Sequence, residues 1–136
     1  MASPASPSIP KALLVAAPLP LFATALANDW AYAATFDVQW KNFASWLIVG
    51  ALVPTALAIL VEGMGAIRRR TGRALLALLL WLATFAAGLF NSLVHAKDAW
   101  ASMPTATIVS ILTTLLALAA AWISLTSSPR RVGGAA

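Results

Sequence analysis

Four apolar runs, Ala12–Ala27, Phe43–Val61, Ala74–Val94 and Pro104–Leu125, alternate with short polar or charged clusters along the chain. A helix needs roughly 20 apolar residues, at about 1.5 Å each, to cross a hydrocarbon core of about 30 Å. Lipid offers no partner to backbone N–H and C=O groups, so each run is expected to be helical. The pattern predicts an all-α, polytopic integral membrane four-helix bundle with spans over residues 12–28, 43–66, 74–95 and 104–125. The first run is the shortest, and Pro18 and Pro20 interrupt it. Pro54 is expected to kink the second helix, with neighbouring helices compensating for the lost donor. The third run carries no charge. Ser102 is placed to cap the fourth, and Pro104 suits its first turn.

Between the second and third runs stand Arg68, Arg69, Arg70 and Arg73. At a span centre each arginine costs roughly 2.5–3.5 kcal/mol, while a leucine returns only about 0.3–0.6 kcal/mol. The cluster is therefore expected to form a loop outside the hydrocarbon. In a four-span arrangement Lys11, these arginines, Arg130 and Arg131 share one side, against Lys41 and Lys97 on the other. Cytoplasmic retention of Lys and Arg then predicts cytoplasmic termini. The opposite side collects Asp29, Asp37 and Asp98 with Trp30, Tyr32, Phe36, Trp40, Trp46 and Trp100, aromatics suited to the headgroup level.

Residues 1–10 are rich in Pro, Ser and Ala and are expected to form a disordered leader. A single transmembrane domain follows over residues 11–126, and residues 127–136 form a cytoplasmic tail. The start has a competing reading. Lys11, an apolar stretch and Ala25-Leu26-Ala27 before Asn28 follow the order of a cleavable signal peptide, and cleavage would leave three spans. The Pro-rich leader and two prolines in the apolar stretch favour retention. The arginines stay cytoplasmic either way.

Composition strengthens the membrane reading. The chain is 61% hydrophobic and 10% charged, whereas a soluble surface needs roughly a quarter charged residues. The net charge of +5 lies at the edges of apolar runs, which points to the lipid bilayer and its anionic headgroups rather than to nucleic acid. The lack of cysteine excludes disulfides and thiol chemistry, and a lone histidine, His95, excludes any mechanism needing two per chain. No nucleophile triad, phosphate loop, dinucleotide fingerprint or zinc protease motif is present, so catalysis has no positive support.

One internal pattern carries candidate chemistry. Thr84, Gly88, Asn91 and His95 recur at spacings of four, three and four on one helical face, continued by Ala77 and Trp81. A functional reading makes them a polar track that meets a ligand, proton or cofactor near the outer surface. A packing reading uses Gly88 for close approach and Thr84 and Asn91 for hydrogen bonds of about 0.6 kcal/mol each. With His95 at the span end, within reach of water, packing is favoured. Thr107, Ser110 and Thr114 form a similar stripe, and Gly50 with Pro54 is read as close packing around a kink.

His95 and Asp98 can pair if the third helix continues, which completes the candidate site Thr84, Gly88, Asn91, His95 and Asp98. Asp29 and Asp37 add carboxylates, but without dense ligand spacing no metal is expected. For haem, His95 offers one axial ligand, with Met103 or a partner as the second. Glu62, near Arg68–Arg70, is read as half of a solvated ion pair.

Two stretches, Gln39-Trp40-Lys41-Asn42-Phe43-Ala44-Ser45-Trp46-Leu47-Ile48 and Asn91-Ser92-Leu93-Val94-His95-Ala96-Lys97-Asp98-Ala99-Trp100, carry a resemblance. From Lys11 to Leu125 the chain resembles an uncharacterised family of small, four-span bacterial predicted membrane proteins, a domain of unknown function. Members lack an assigned activity, and some are associated with redox proteins such as Rieske-type or sugar-dehydrogenase partners. The resemblance implies an electron-transfer neighbourhood. Members often place a histidine near a proline at the start of the first span; this chain reads Ser8-Ile9-Pro10-Lys11 instead, and if that histidine serves a cofactor, the resemblance does not imply cofactor binding here.

The resulting expectation is an inner-membrane accessory or anchoring subunit without catalysis of its own, serving a membrane or periplasmic, possibly redox, partner or its own oligomer. No cofactor is expected. The alternatives are a haem- or quinone-linked electron-transfer subunit centred on Asn91, His95 and Asp98, and a small-solute or proton pathway through an oligomer, motivated by the face from Thr84 to His95.

Overall fold

The computed structural model describes residues 8–97 and 99–127. Asp98, Arg130 and Arg131, and most of the expected leader and tail, lie outside the described residues. Helix α1 (Ile9–Ala16) passes into α2 (Pro18–Thr35) through Ala17, whose φ of −60° and ψ of −39° are helical. Pro18 and Pro20 deny two donors to the ladder, yet the two pieces form one span of 27 residues, Ile9–Thr35. The first span therefore starts at Ile9 and runs on to Thr35, beyond the expected 12–28, and crosses Ala27–Asn28 without interruption.

Phe36 ends α2 in the left-handed region at φ 58°, donating its N–H to Tyr32 O at 2.8 Å. Asp37 then caps α3 (Val38–Arg69) by accepting from Gln39 N at 3.0 Å. At about 1.5 Å per residue, its 32 residues extend about 48 Å, well beyond the hydrocarbon thickness. Helix α3 begins at Val38 rather than residue 43 and ends at Arg69 rather than 66. A helix whose ends lie at the headgroup level keeps its hydrogen bonds after hydropathy has fallen.

The same reason corrects the arginine loop. Arg68 and Arg69 close the last turn of α3, Arg70 caps it at φ 47°, and Arg73 lies in the first turn of α4 (Gly72–His95). Only Arg70 and Thr71 stand between the two helices, and the Thr71 side chain accepts from Ala74 N at 3.2 Å. After α4 come a 3-10 turn, Ala99–Ser102, a cis Met103–Pro104 peptide and α5 (Thr105–Thr126). Pro104 itself holds the N-cap position, without a side-chain cap, so Ser102 does not play that part.

Helix α2 packs on α3 and α5, and α4 packs on α3 and α5, closing a ring of four helices. Each is long and apolar enough to cross a membrane, and no strand occurs among the described residues. The inward faces repeat at alternating steps of three and four. In α3 the stripe is Lys41, Ala44, Ile48, Ala51, Thr55, Ala58 and Glu62; in α4 it is Ala74, Ala77, Trp81, Thr84, Gly88, Asn91 and His95. Such a 3.5-residue period keeps a seam facing its neighbours along a left-handed bundle.

Small residues fill that seam and large ones face outward, as Leu57, Leu60, Leu79, Leu89, Leu115 and Leu118 do. Lipid is as apolar as leucine, so close backbone approach, rather than escape from water, decides which side faces in. Two apolar layers result: Phe22, Ala25, Ala44, Ile48, Ala51 and Ala117, then Val15, Ala58, Trp81, Ala120 and Ala121. Gly88 marks the tightest glycine approach between helices, since a Cβ there would meet Leu52 Cδ2 at 2.9 Å and Phe22 Cζ at 3.0 Å. Gly50, expected to pack closely, is exposed, and a Cβ there would meet nothing within 4 Å.

Candidate functional site

At the aromatic end of the bundle all four long helices supply a buried polar side chain: Asp29 from α2, Lys41 from α3, Asn91 and His95 from α4, and Ser110 from α5. Asp29 lies on the inward stripe Pro18, Phe22, Ala25, Asp29 and Tyr32, and so cannot avoid the bundle interior. His95 Nε2 lies 2.7 Å from Asp29 Oδ1, and both side chains are fully buried. The other ring nitrogen, Nδ1, lies 3.0 Å from Asn91 O.

The second carboxylate oxygen of Asp29 accepts a short hydrogen bond from Ser110 Oγ, which itself accepts from Asn91 Nδ2 at 2.9 Å. Lys41 donates its ammonium to His95 O at 2.8 Å, satisfying one of the carbonyls that the end of α4 leaves free. Asn91 Oδ1 is buried without a hydrogen-bond partner. The arrangement pairs a carboxyl with an imidazole and brings an ammonium to the imidazole residue's carbonyl, all out of water.

Four of the expected residues, Thr84, Gly88, Asn91 and His95, do share one inward face. Thr84 donates to Leu80 O at 2.7 Å and stays within its own helix. The anticipated His95–Asp98 pair falls on a residue outside those described, and His95 takes Asp29 instead. His95 is 3% exposed, so protein groups rather than interfacial water satisfy it. Asp37 is exposed and caps α3, and the described residues hold no group of three or more His, Cys, Asp or Glu arranged for a metal ion. Met103 Sδ accepts from Thr107 Oγ1 at 3.4 Å. In the hydroxyl stripe expected on α5, Ser110 is buried, as is Thr113 beside it, while Thr107 and Thr114 are half-buried.

Asp29, Lys41 and Ser110 escaped the sequence reading as partners of His95, although a signal existed. Each occupies the three-and-four stripe of its helix, and a charged residue on such a stripe is committed to the interior. The same signal marks Glu62, read from sequence as solvated. It is fully buried at the opposite end, with Lys11 Nζ at 3.1 Å and Arg69 Nη2 at 3.5 Å. Neither carboxylate oxygen receives a well-aligned hydrogen bond, so the pairing is Coulombic. Arg69 also donates to Ser127 O at 3.1 Å, and Arg73 donates to Ser127 Oγ at 2.9 Å and to Thr126 Oγ1. Basic residues thus tie the start of α1 and the end of α5 to the α3–α4 turn.

The model of the family described as "Predicted membrane protein (DUF2231)" matches residues 11–128, nearly the whole chain. The chain belongs to the DUF2231 family. No curated protein and no solved structure matches it. The match covers all four spans, the Asp29–His95 junction and the Glu62 cluster, so both polar ends lie within the DUF2231 unit. This DUF2231 chain is a membrane protein whose outer face contacts the bilayer, and its family description assigns no activity.

Proposed function

We propose that this DUF2231 chain is a non-catalytic inner-membrane subunit that anchors or accompanies a membrane or periplasmic partner, with both termini cytoplasmic. One observation carries the reading. The polar side chains of the interior are largely engaged with one another or with backbone, while Trp30, Phe36, Trp46 and Trp100 stay 52–78% exposed around one end. Recognition is thereby left to the outer surface, where aromatic side chains anchor protein contacts efficiently. Orientation rests on Lys11, Arg68, Arg69, Arg70 and Arg73, gathered at the other end.

The haem form of the electron-transfer alternative is disfavoured by the ring of His95: axial ligation requires a free nitrogen, and both are engaged. A solute pathway through the centre of a single bundle is disfavoured by Phe22, Ile48 and Trp81, which are buried there. Purification in mild detergent at native expression, followed by mass spectrometry, is expected to recover a stoichiometric partner, a redox protein or a second copy included. A partner-free monomer would count against the proposal. The absorption spectrum of the same sample is expected to lack a Soret band.

A further inference from the structure

Donor and acceptor counting at His95 yields more than a helix tie. Asn91 O is a backbone carbonyl and can only accept, so the hydrogen bond at 3.0 Å requires a proton on Nδ1. Nε2 then faces Asp29 Oδ1 at 2.7 Å, a distance that two bare acceptors do not tolerate. A second proton must therefore lie between them, either on Nε2 against a carboxylate or on Oδ1 against a neutral ring. In both arrangements the pair is neutral overall. Ser110 holds Oδ2 and leaves Oδ1 as the oxygen that shares the proton.

We propose that Asp29 and His95 form a proton-binding site at the aromatic end of the bundle, whose single shared proton locks α2 onto α4 and α5. The charged and titratable groups around it come from every long helix. Among the described residues, Asp29 and, one turn on, Tyr32 lie on α2; Lys41 on α3 holds His95 O; His95 closes α4; α5 presents the Ser110 hydroxyl. On release the proton passes to water at that end, leaving a carboxylate, a neutral ring and the Lys41 ammonium as residual counter-charge.

Asp29 Oδ1 and Nε2 are then both acceptors and separate, while the Ser110 bond persists. Passage the other way is blocked. Phe22, Ala25, Ala44, Ile48, Ala51 and Ala117 form the next layer, and the hydroxyls of Thr55, Thr84 and Thr113 donate to their own helix backbones. None of them offers a relay toward the arginine end.

His95 is the single histidine, so histidine labelled with nitrogen-15 gives one pair of ring signals, provided no histidine tag is used. The protein in nanodiscs of phosphatidylcholine and phosphatidylglycerol is titrated from about pH 5 to about pH 10, a range that spans histidine and its shifted forms. Nδ1 is expected to stay protonated throughout, while the Nε2 signal moves in a single one-proton step. Above that step, amide exchange of residues 29–35 is expected to accelerate at least tenfold. In D29N the ring is expected to stay in the neutral Nδ1–H form, without a step. A bare Nδ1 in wild type, or an Nε2 signal invariant across the range, overturns the proposal. Wild-type spectra decide it even if D29N does not fold.

Discussion

Replacing His95 by alanine leaves the Asp29 carboxylate with the Ser110 hydroxyl as its hydrogen-bonding partner among the described side chains, buried and without the group that shares its charge. Removing one member of a buried ionic pair costs about 3–5 kcal/mol. The expected outcome for His95→Ala is a fall of that order in unfolding free energy, measured by denaturant titration in mixed micelles. Gly88 behaves differently, because its role is absence of bulk. A side chain there meets Phe22, held in the core, so Gly88→Val is expected to destabilise by about 1–3 kcal/mol through overpacking. Gly50→Val, facing open space, is expected to leave the thermal midpoint unchanged. The contrast separates a glycine that packs from one that does not, and sequence alone treats them alike.

At the scale of elements, the α3–α4 turn joins two long helices through only two residues, Arg70 and Thr71. Arg70 adopts a left-handed conformation that favours glycine, with a penalty of roughly 1–2 kcal/mol for other residues. Arg70→Gly is expected to raise stability by up to about 1 kcal/mol, because the gained backbone freedom of the unfolded chain offsets part of the relief. A thermal midpoint below wild type would show that the Arg70 side chain contributes contacts of its own. The number and order of the spans were legible in hydropathy, and so was the shared face of Thr84, Gly88, Asn91 and His95. Helix ends were not, since α3 continues from Val38 to Arg69 after the apolar run has ended. The partner of His95 was also hidden. Asp29 is 66 residues away, and nothing local says which helix lies opposite which.

For the whole molecule, the two buried acids sit at opposite ends and close the bundle in different ways. Asp29 is held by two directional hydrogen bonds, whereas Glu62 is balanced by Lys11 and Arg69 without aligned hydrogen bonds. Glu62→Gln leaves two cations facing a neutral amide. The start of α1 is expected to come away, with proteolysis near Lys11 at least several-fold faster. Topology has an equally direct test, since the chain lacks cysteine. A single cysteine replacing Arg70 is expected to react with impermeant maleimide only from the cytoplasmic side of inverted vesicles. Labelling in intact spheroplasts instead would reverse the orientation.

The three-and-four seam also separates what specifies the fold from what specifies the solvent. Leu57, Leu60, Leu79, Leu89, Leu115 and Leu118 point away from every residue that positions Asp29, His95 or Glu62. Exchanging such lipid-facing positions for glutamate, lysine and glutamine rewrites the exterior and leaves the alanine, serine and threonine interior as it stands. In water the close-packed interior then gains a hydrophobic drive it did not have in lipid. A detergent-free analogue, crystallisable and open to ordinary solution spectroscopy, is a design problem confined to the outside of this bundle.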